Sequence, residues 1–243
     1  MPMFEFEHHT KILKILHSLN TDLFKEIGAY FGGGTLLALL YNEYRQSKDI
    51  DFVCPVGTGY RELRNKIDSK SYNIIFNKFD DIKLPREIKI DQYGVRFLVL
   101  VDETPIKFEI FAEARIQLEN PTFYEWCPAP CLSFEDCCAE KLLANADRWN
   151  DTSIESRDLI DLAILRLQSE LPKSAVQKAE QAYAVIEPLK KALNKFQSSP
   201  KYREKCFSAL EIENREAVID GIDLLASDLK LPPTSRIQAE DQD

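Results

Sequence analysis

The sequence predicts an α+β chain: a mixed β-sheet with flanking helices in the first half, followed by an all-helical C-terminal half. Three observations predict it. Short β-rich runs alternate with helical apolar spacing as far as about residue 111. Trp126-Cys127-Pro128-Ala129-Pro130 then interrupts the pattern. Beyond it lie four segments of helical periodicity and no strand pattern. The expected division is an α/β domain at 1–126 and a helical domain at 127–243, with the polar residues 232–243 expected to form a mobile tail.

The elements follow in order. Residues 4–19 carry Ile12, Leu13, Ile15, Leu16 and Leu19 on one helical face. Residues 29–31 read as a short strand leading into Gly32-Gly33-Gly34-Thr35, and Leu36, Leu37, Leu39 and Leu40 mark a helix over 36–44. Residues 50–54 read as a strand stopped by Pro55 and Gly57. A polar helix over 60–70 and a strand over 72–77 come next. Residues 94–101 and 104–111 are both β-rich and are separated by Asp102-Glu103, a hairpin length without the glycine that the favoured turns use. In the second half, helical patterns cover 134–149, 153–168, 174–197 and 213–229. Pro188 is expected to kink or split the third. Ser133, with Asp136 three residues on, suits the cap of the first.

Composition narrows the class. The chain has 243 residues, of which 44% are apolar and 29% charged, so it can bury a core without disulfides or metals. A net charge of −9 argues against a surface built all round for nucleic acid, and no DNA partner is expected. Arg61, Arg64, Lys66, Lys70, Lys78, Lys83, Arg86 and Lys89 are the candidates for a local basic groove, with ordinary surface charge as the alternative. No apolar run is long enough to span a bilayer, so no membrane partner is expected. The N-terminus lacks the basic flank and apolar stretch of a signal peptide, and the expected location is the cytoplasm, with six reduced cysteines. Cys127, Cys131, Cys137 and Cys138 have poor zinc-ligand spacing and no histidine nearby. The three histidines, His8, His9 and His17, are read as solvated or helix-surface residues, and no Ser/His/Asp set is visible.

Asp49 and Asp51 stand two apart at the start of a strand, so their side chains point the same way while Ile50, Phe52 and Cys54 point into the core. That places two hard oxygen ligands side by side, the kind Mg²⁺ takes together with water and phosphate oxygens. Alone, a D-x-D reads first as a strand cap and a solvent-facing residue; its context changes that reading. Glu109 lies in a strand whose Ile106, Phe108 and Ile110 share the other face, and a third acid there would complete a two-metal site. Upstream, Gly32-Gly33-Gly34-Thr35 joins a strand to a helix. Glycine admits close approach of the backbone to a ligand, and the helix N-terminus offers N–H groups to phosphate. Thr35 would add a hydroxyl or cap the helix. A tight turn with no ligand is the equal alternative. The P-loop pattern fails because Gly34 stands where the lysine belongs, and the dinucleotide fingerprint fails as well.

The run GGTLLALLYNEYRQSKDIDF, with Gly33-Gly34-Thr35, Arg45, Ser47 and Asp49-Ile50-Asp51-Phe52, closely resembles the AbiEii/AbiGii toxin family of nucleotidyltransferases, within the DNA polymerase β-like superfamily. A second block, Glu140-Lys141-Leu142-Leu143-Ala144, then Arg148 and Arg157-Asp158-Leu159-Ile160-Asp161-Leu162, resembles the family's E-K-L-x-A and R-D-x-x-D-L motifs. The resemblance spans residues of about 28 to 165.

It implies a nucleotidyltransferase-type mixed sheet of five strands or fewer, then a helical domain. It implies an NTP as substrate and Mg²⁺ or Mn²⁺ at Asp49, Asp51 and Glu109. Gly33, Gly34, Thr35, Arg45, Ser47 and Lys141 are the nucleotide-binding candidates, and Asp49, Asp51, Glu109, Lys141 and Asp158 the catalytic ones. For Arg45 and Ser47, structural roles weigh equally. Lys141, Asn145 and Arg148 share one helix face. Asp158 and Asp161 lie in an apolar helix and need cationic partners, for which Arg148 and Arg157 are the candidates; Asp158 is read as functional and Asp161 as part of a structural clamp with Arg148. The resemblance further implies an RNA acceptor, a tRNA in some members, and an antitoxin encoded beside the toxin. The alternatives are a protein acceptor, a small-molecule nucleotidyltransferase of the antibiotic-modifying kind, and a catalytically silent nucleotide- or protein-binding module.

Overall fold

The structure is a computed structural model and describes residues 4–67, 74–85 and 87–235. The chain divides into two compact units, Met1–Cys137 and Cys138–Asp243.

The first unit is built on one mixed sheet. Its strands are β1 (Tyr30–Gly32), β2 (Ile50–Pro55), β3 (Lys89–Ile90), β4 (Gly94–Val101), β5 (Thr104–Glu113), β6 (Thr122–Tyr124) and β7 (Cys127–Cys131), in the order β3-β4-β5-β2-β1-β7-β6. β2 and β5 are parallel, while β1 runs antiparallel to β2 and β4 antiparallel to β5. Seven strands exceed the expected five or fewer. β3 and β6 are two and three residues long, too short for alternation to be legible. β7 corrects the expectation that no strand follows residue 126. Its prolines, Pro128 and Pro130, are two apart, so both missing donors fall on the same edge of the strand.

Alternation decides what each strand buries. Ile50, Phe52 and Cys54 of β2 and Ile106, Phe108 and Ile110 of β5 are all 0% exposed. Phe52 and Phe108 stack at 5.5 Å, and Phe97 of β4 stacks on Phe108 at 4.8 Å. Phe24, Phe31 and Phe76 complete this aromatic core, each ring contributing about 1.5–3 kcal/mol by leaving water. The opposite face of the same strands carries Asp51 and Glu109.

Four helices flank the sheet: α1 (Glu7–Ser18), α2 (Thr21–Glu26), α3 (Gly33–Leu40) and α4 (Arg61–Lys66). The helix expected at 36–44 stops at Leu40, because Asn42 (φ 54°) and Glu43 (φ 47°) turn the chain through the left-handed region. The strand expected at 72–77 lies partly outside the described residues; the described part is a turn with a single bridge between Leu19 and Phe76. The 94–101 and 104–111 hairpin is present, and its two-residue turn places both Asp102 (φ 48°) and Glu103 (φ 65°) in the left-handed region.

The second unit takes in most of α5 (Phe134–Arg148), then α6 (Arg157–Gln168), α7 (Lys173–Ala182), α8 (Ile186–Ser198), α9 (Pro200–Ala209) and α10 (Arg215–Asp228). Ser133 Oγ accepts the Asp136 N–H at 3.0 Å, the expected cap of α5. The third helical pattern splits between α7 and α8, and Pro188 sits in the first turn of α8, where its missing N–H breaks no helical bond. Residues 232–235 of the expected mobile tail are tied down: Pro232 and Ser235 carbonyls accept from Gln197 and Arg203, and Thr234 N–H donates to Asp223 at 2.6 Å. Residues 236–243 lie outside the described residues.

The six cysteines are all buried. Among the described residues, no helix is long and apolar enough to cross a membrane. Of the expected basic groove, Lys66 pairs with Glu26 and Glu62, and Lys83 with Glu103; Lys70 and Arg86 lie outside the described residues.

Candidate active site

The parallel pairing of β2 with β5 sets the geometry. Asp51 stands in register with Glu109, so the two side chains neighbour each other on the face opposite the aromatic core. Asp49 lies one residue before β2 and is half-buried, as is Asp51.

The glycine turn meets these acids directly. Gly32 pairs with Asp51 across β1 and β2. Gly33 adopts φ +68°, and a Cβ placed on it would lie 2.5 Å from Asp51 Oδ2. Only glycine fits there, both for its backbone and for the carboxylate against it. Gly34 is buried in the first turn of α3. Thr35, 1% exposed, turns its hydroxyl inward, 2.8 Å from Ser47 Oγ and 2.5 Å from the Asp49 carbonyl. Thr35 and Ser47 thus pin the backbone that leads into β2. Arg45 is 3% exposed; it donates to the Gln46 carbonyl at 2.9 Å and lies over the Tyr44 ring.

Glu109, the expected third ligand, is paired with two cations. It is 5% exposed, and its carboxylate pairs with Arg96 Nε at 3.1 Å and with Lys107 Nζ. Arg96 also holds Asp91 at 2.8 Å. Among the described residues, no cluster of three or more His, Cys, Asp or Glu side chains forms a metal cage. A buried carboxylate needs compensating charge, and β4 and β5 supply it from the neighbouring strand positions. Asp49 and Asp51 suit a divalent ion by donor chemistry, both being half-buried carboxylates at the start of β2. Glu109 as placed serves its two cations.

Two further residues belong to this region, His9 against the segment before β2 and Arg96 against Glu109. His9, taken as a surface residue, is 0% exposed, a correction that arises because the turn at 42–47 folds over α1. Its Nδ1 lies 2.6 Å from Glu43 Oε1 and its Nε2 3.1 Å from the Ser47 backbone. Burial draws the imidazole below its ordinary pKa, against the pull of Glu43. No local signal marks this contact, whose partners lie more than thirty residues away. Arg96 had a signal: the two-residue turn at 102–103 fixes it opposite Glu109.

Within the helical unit, the second motif block gathers as an ionic cluster. Lys141 Nζ lies 2.6 Å from Asp161 and 3.2 Å from Asp158. Arg148 forks onto Asp158, Nε at 2.6 Å and Nη2 at 2.9 Å. Arg148 is thus paired with Asp158, and Lys141 bridges both acids. Burial works to raise the Asp158 pKa, but the Lys141 charge and the Arg148 hydrogen bond outweigh it and hold the carboxyl below its ordinary value. Asn145, one turn on from Lys141 and 2% exposed, leaves its Nδ2 without a hydrogen-bond partner among the described residues.

No curated protein matches the chain. Three solved structures resemble it at 16% identity. A nucleotidyltransferase candidate from Helicobacter pylori covers 91% of this chain and 95% of its own, with a TM-score of 0.49. JHP933 from the same organism covers 94% and 95%, with a TM-score of 0.48. An antigenic nucleotidyltransferase-like protein from Paracoccidioides brasiliensis covers 88% and 96%, with a TM-score of 0.45. At such identity and TM-score, these likenesses carry no argument about activity. The family described as the nucleotidyl transferase AbiEii toxin of type IV toxin–antitoxin systems matches residues 14–221, a range that takes in the glycine turn, the Asp49–Asp51 pair, Glu109 and the Lys141 cluster, and the chain is a nucleotidyltransferase of that family.

Proposed function

We propose that this nucleotidyltransferase moves a nucleotidyl group from an NTP to a hydroxyl of an RNA, with a tRNA as first candidate, or of a protein, as the toxin of a pair with a cognate antitoxin. The observation that carries the reading is Asp51, flanked by Glu109 in register and by Gly33 against its carboxylate. Two acids and a glycine turn on one sheet face suit a triphosphate and its metal, and the close approach of Gly33 to the Asp51 carboxylate, where a Cβ would lie 2.5 Å from Oδ2, brings the turn and the acid together.

In this reading Asp49 and Asp51 hold Mg²⁺ or Mn²⁺, which when bound neutralises phosphate charge and assists the leaving group. The N–H groups of Gly33 and Gly34, at the start of α3, bind phosphate oxygens. The acceptor oxygen bonds to the α-phosphorus as the α–β bridging bond breaks and pyrophosphate leaves. Glu109, beside Asp51, receives the acceptor's proton. Lys141, Asn145 and Asp158 serve nucleotide handling in the helical unit, where Lys141 and Asp158 are already paired with each other.

The test incubates the chain with each labelled NTP, Mg²⁺ or Mn²⁺, and total RNA. Label is expected to move to RNA with the native chain and not with Asp51→Asn, whose fold is checked by circular dichroism. Transfer only to small hydroxyl acceptors overturns the macromolecular acceptor, and NTP binding without transfer to any acceptor overturns the enzyme. Undiminished transfer by Asp51→Asn overturns the acid assignment.

A further inference from the structure

The segment between α3 and β2 is held at three successive places, and one imidazole takes part in two of them. At the first, Glu43 is fixed in a left-handed conformation and its carboxylate accepts from His9 Nδ1–H at 2.6 Å, from Glu5 N–H at 2.6 Å and from Phe6 N–H at 3.2 Å. Because a carboxylate only accepts, Nδ1 carries the proton. At the second, His9 Nε2 lies 3.1 Å from both the N–H and the carbonyl of Ser47. A neutral ring accepts the N–H and a charged ring donates to the carbonyl, so the Ser47 backbone is held in either state. At the third, the Thr35 hydroxyl joins Ser47 Oγ to the Asp49 carbonyl. His9 and Thr35 are 0% and 1% exposed, so water does not compete for these bonds.

We infer that His9 is a positioning residue for Asp49: through Ser47 and Thr35 it fixes the backbone from which the first acid of the pair projects. The inference rests on the reading that Asp49 and Asp51 bind a divalent ion. His9 touches neither substrate nor ion. It acts as the outer support of a ligand, a layer whose removal typically costs about 10- to 100-fold in metal affinity.

The test measures Mn²⁺ binding to the full chain directly, by the electron paramagnetic resonance signal of the free ion, with thermal melting of each variant alongside. His9→Asn keeps reach to Glu43 but not to Ser47, and is expected to raise the Mn²⁺ dissociation constant about tenfold or more. His9→Gln reaches Ser47 with its amide and is expected to restore most of the affinity. Thr35→Val, equal in shape but without the hydroxyl, is expected to weaken Mn²⁺ as His9→Asn does, and it decides the matter where His9→Asn fails to fold. If the native chain binds Mn²⁺ and Asp51→Asn does not, while folded His9→Asn and Thr35→Val bind as tightly as the native chain, the inference is wrong and the metal reading stands. If the native chain does not bind Mn²⁺, or Asp51→Asn binds it unchanged, the metal reading fails and the inference with it.

Discussion

Replacing Gly33 with alanine separates what the glycine turn does for the fold from what it does for Asp51. The added methyl meets two penalties. At φ +68° a residue with a Cβ loses about 1–2 kcal/mol, which melts a chain of this size about 2–8 °C earlier. The second penalty falls on the site. The new Cβ would lie 2.5 Å from Asp51 Oδ2, whereas ordinary contact begins at 3.4 Å, so the carboxylate must retreat by about 0.9 Å. A displacement of about 1 Å at a reacting centre costs about 100-fold in rate, or about 2.7 kcal/mol in the barrier. Thermal melting with labelled-NTP transfer at saturating metal reads the two penalties separately. The double variant Gly33→Ala/Asp51→Asn is expected to lose no more activity than Asp51→Asn alone, because the methyl then displaces a carboxylate already disabled. A Gly33→Ala protein that melts earlier yet transfers within threefold of the native rate would refute the link between turn and acid and leave Gly33 as backbone alone.

Other outcomes follow from the same structure. Lys141→Met removes the buried cation shared by Asp158 and Asp161, leaves Asp158 its Arg148 fork, and is expected to destabilise the protein by about 3–5 kcal/mol in denaturant titration, whatever it does to activity. Stability should also depend on pH through His9, which faces Glu43 and has His8 nearby. Its folded pKa lies below 6.5, so the unfolded chain binds the extra proton first, and stability falls as pH drops below about 6.5, with a slope of at most about 1.4 kcal/mol per pH unit. His9→Gln is expected to remove that slope in urea titrations between pH 7 and 5. Glu103→Gly gives the hairpin an Asp-Gly turn and relieves a left-handed glutamate, for an expected gain of about 0.5–1 kcal/mol by thermal melting, after the loss of an exposed pair with Lys83.

Much of the fold was legible where one physical rule dominated. Alternation alone assigns Ile50, Phe52 and Cys54 to the core and Asp51 to the other face, and the structure agrees. The hairpin length at 102–103 was legible although its turn residues are poor ones, because flanking runs of β-branched and aromatic side chains outweigh the cost of two strained positions. β7 was not legible, since proline reads as a breaker until the edge it faces is known. The His9 contact, and with it the end of α3 at Leu40, depends on where α1 lies against a turn more than thirty residues away, and periodicity has no access to that distance. Within the site, residue types were legible and pairings were not. Arg148, expected to clamp Asp161, forks onto Asp158, because helical spacing gives the face but not the partner across from it.

The pairing of Glu109 bears on what that residue can do. Its side chain is 7% exposed, so it cannot stand uncompensated, yet its cations are unequal. Arg96 is anchored from the other side by Asp91 and its side chain is 31% exposed, whereas the Lys107 side chain is 48% exposed and has water to return to. An ion pair with so exposed a lysine contributes about 1 kcal/mol at most, so Lys107 is the partner that another charge can replace at little cost. Arg96 is not, because moving it would leave both Asp91 and Glu109 short of a cation. Glu109 therefore keeps one fixed partner and one exchangeable partner. The fixed guanidinium therefore holds the carboxylate in place beside Asp51, whichever cation takes the second position.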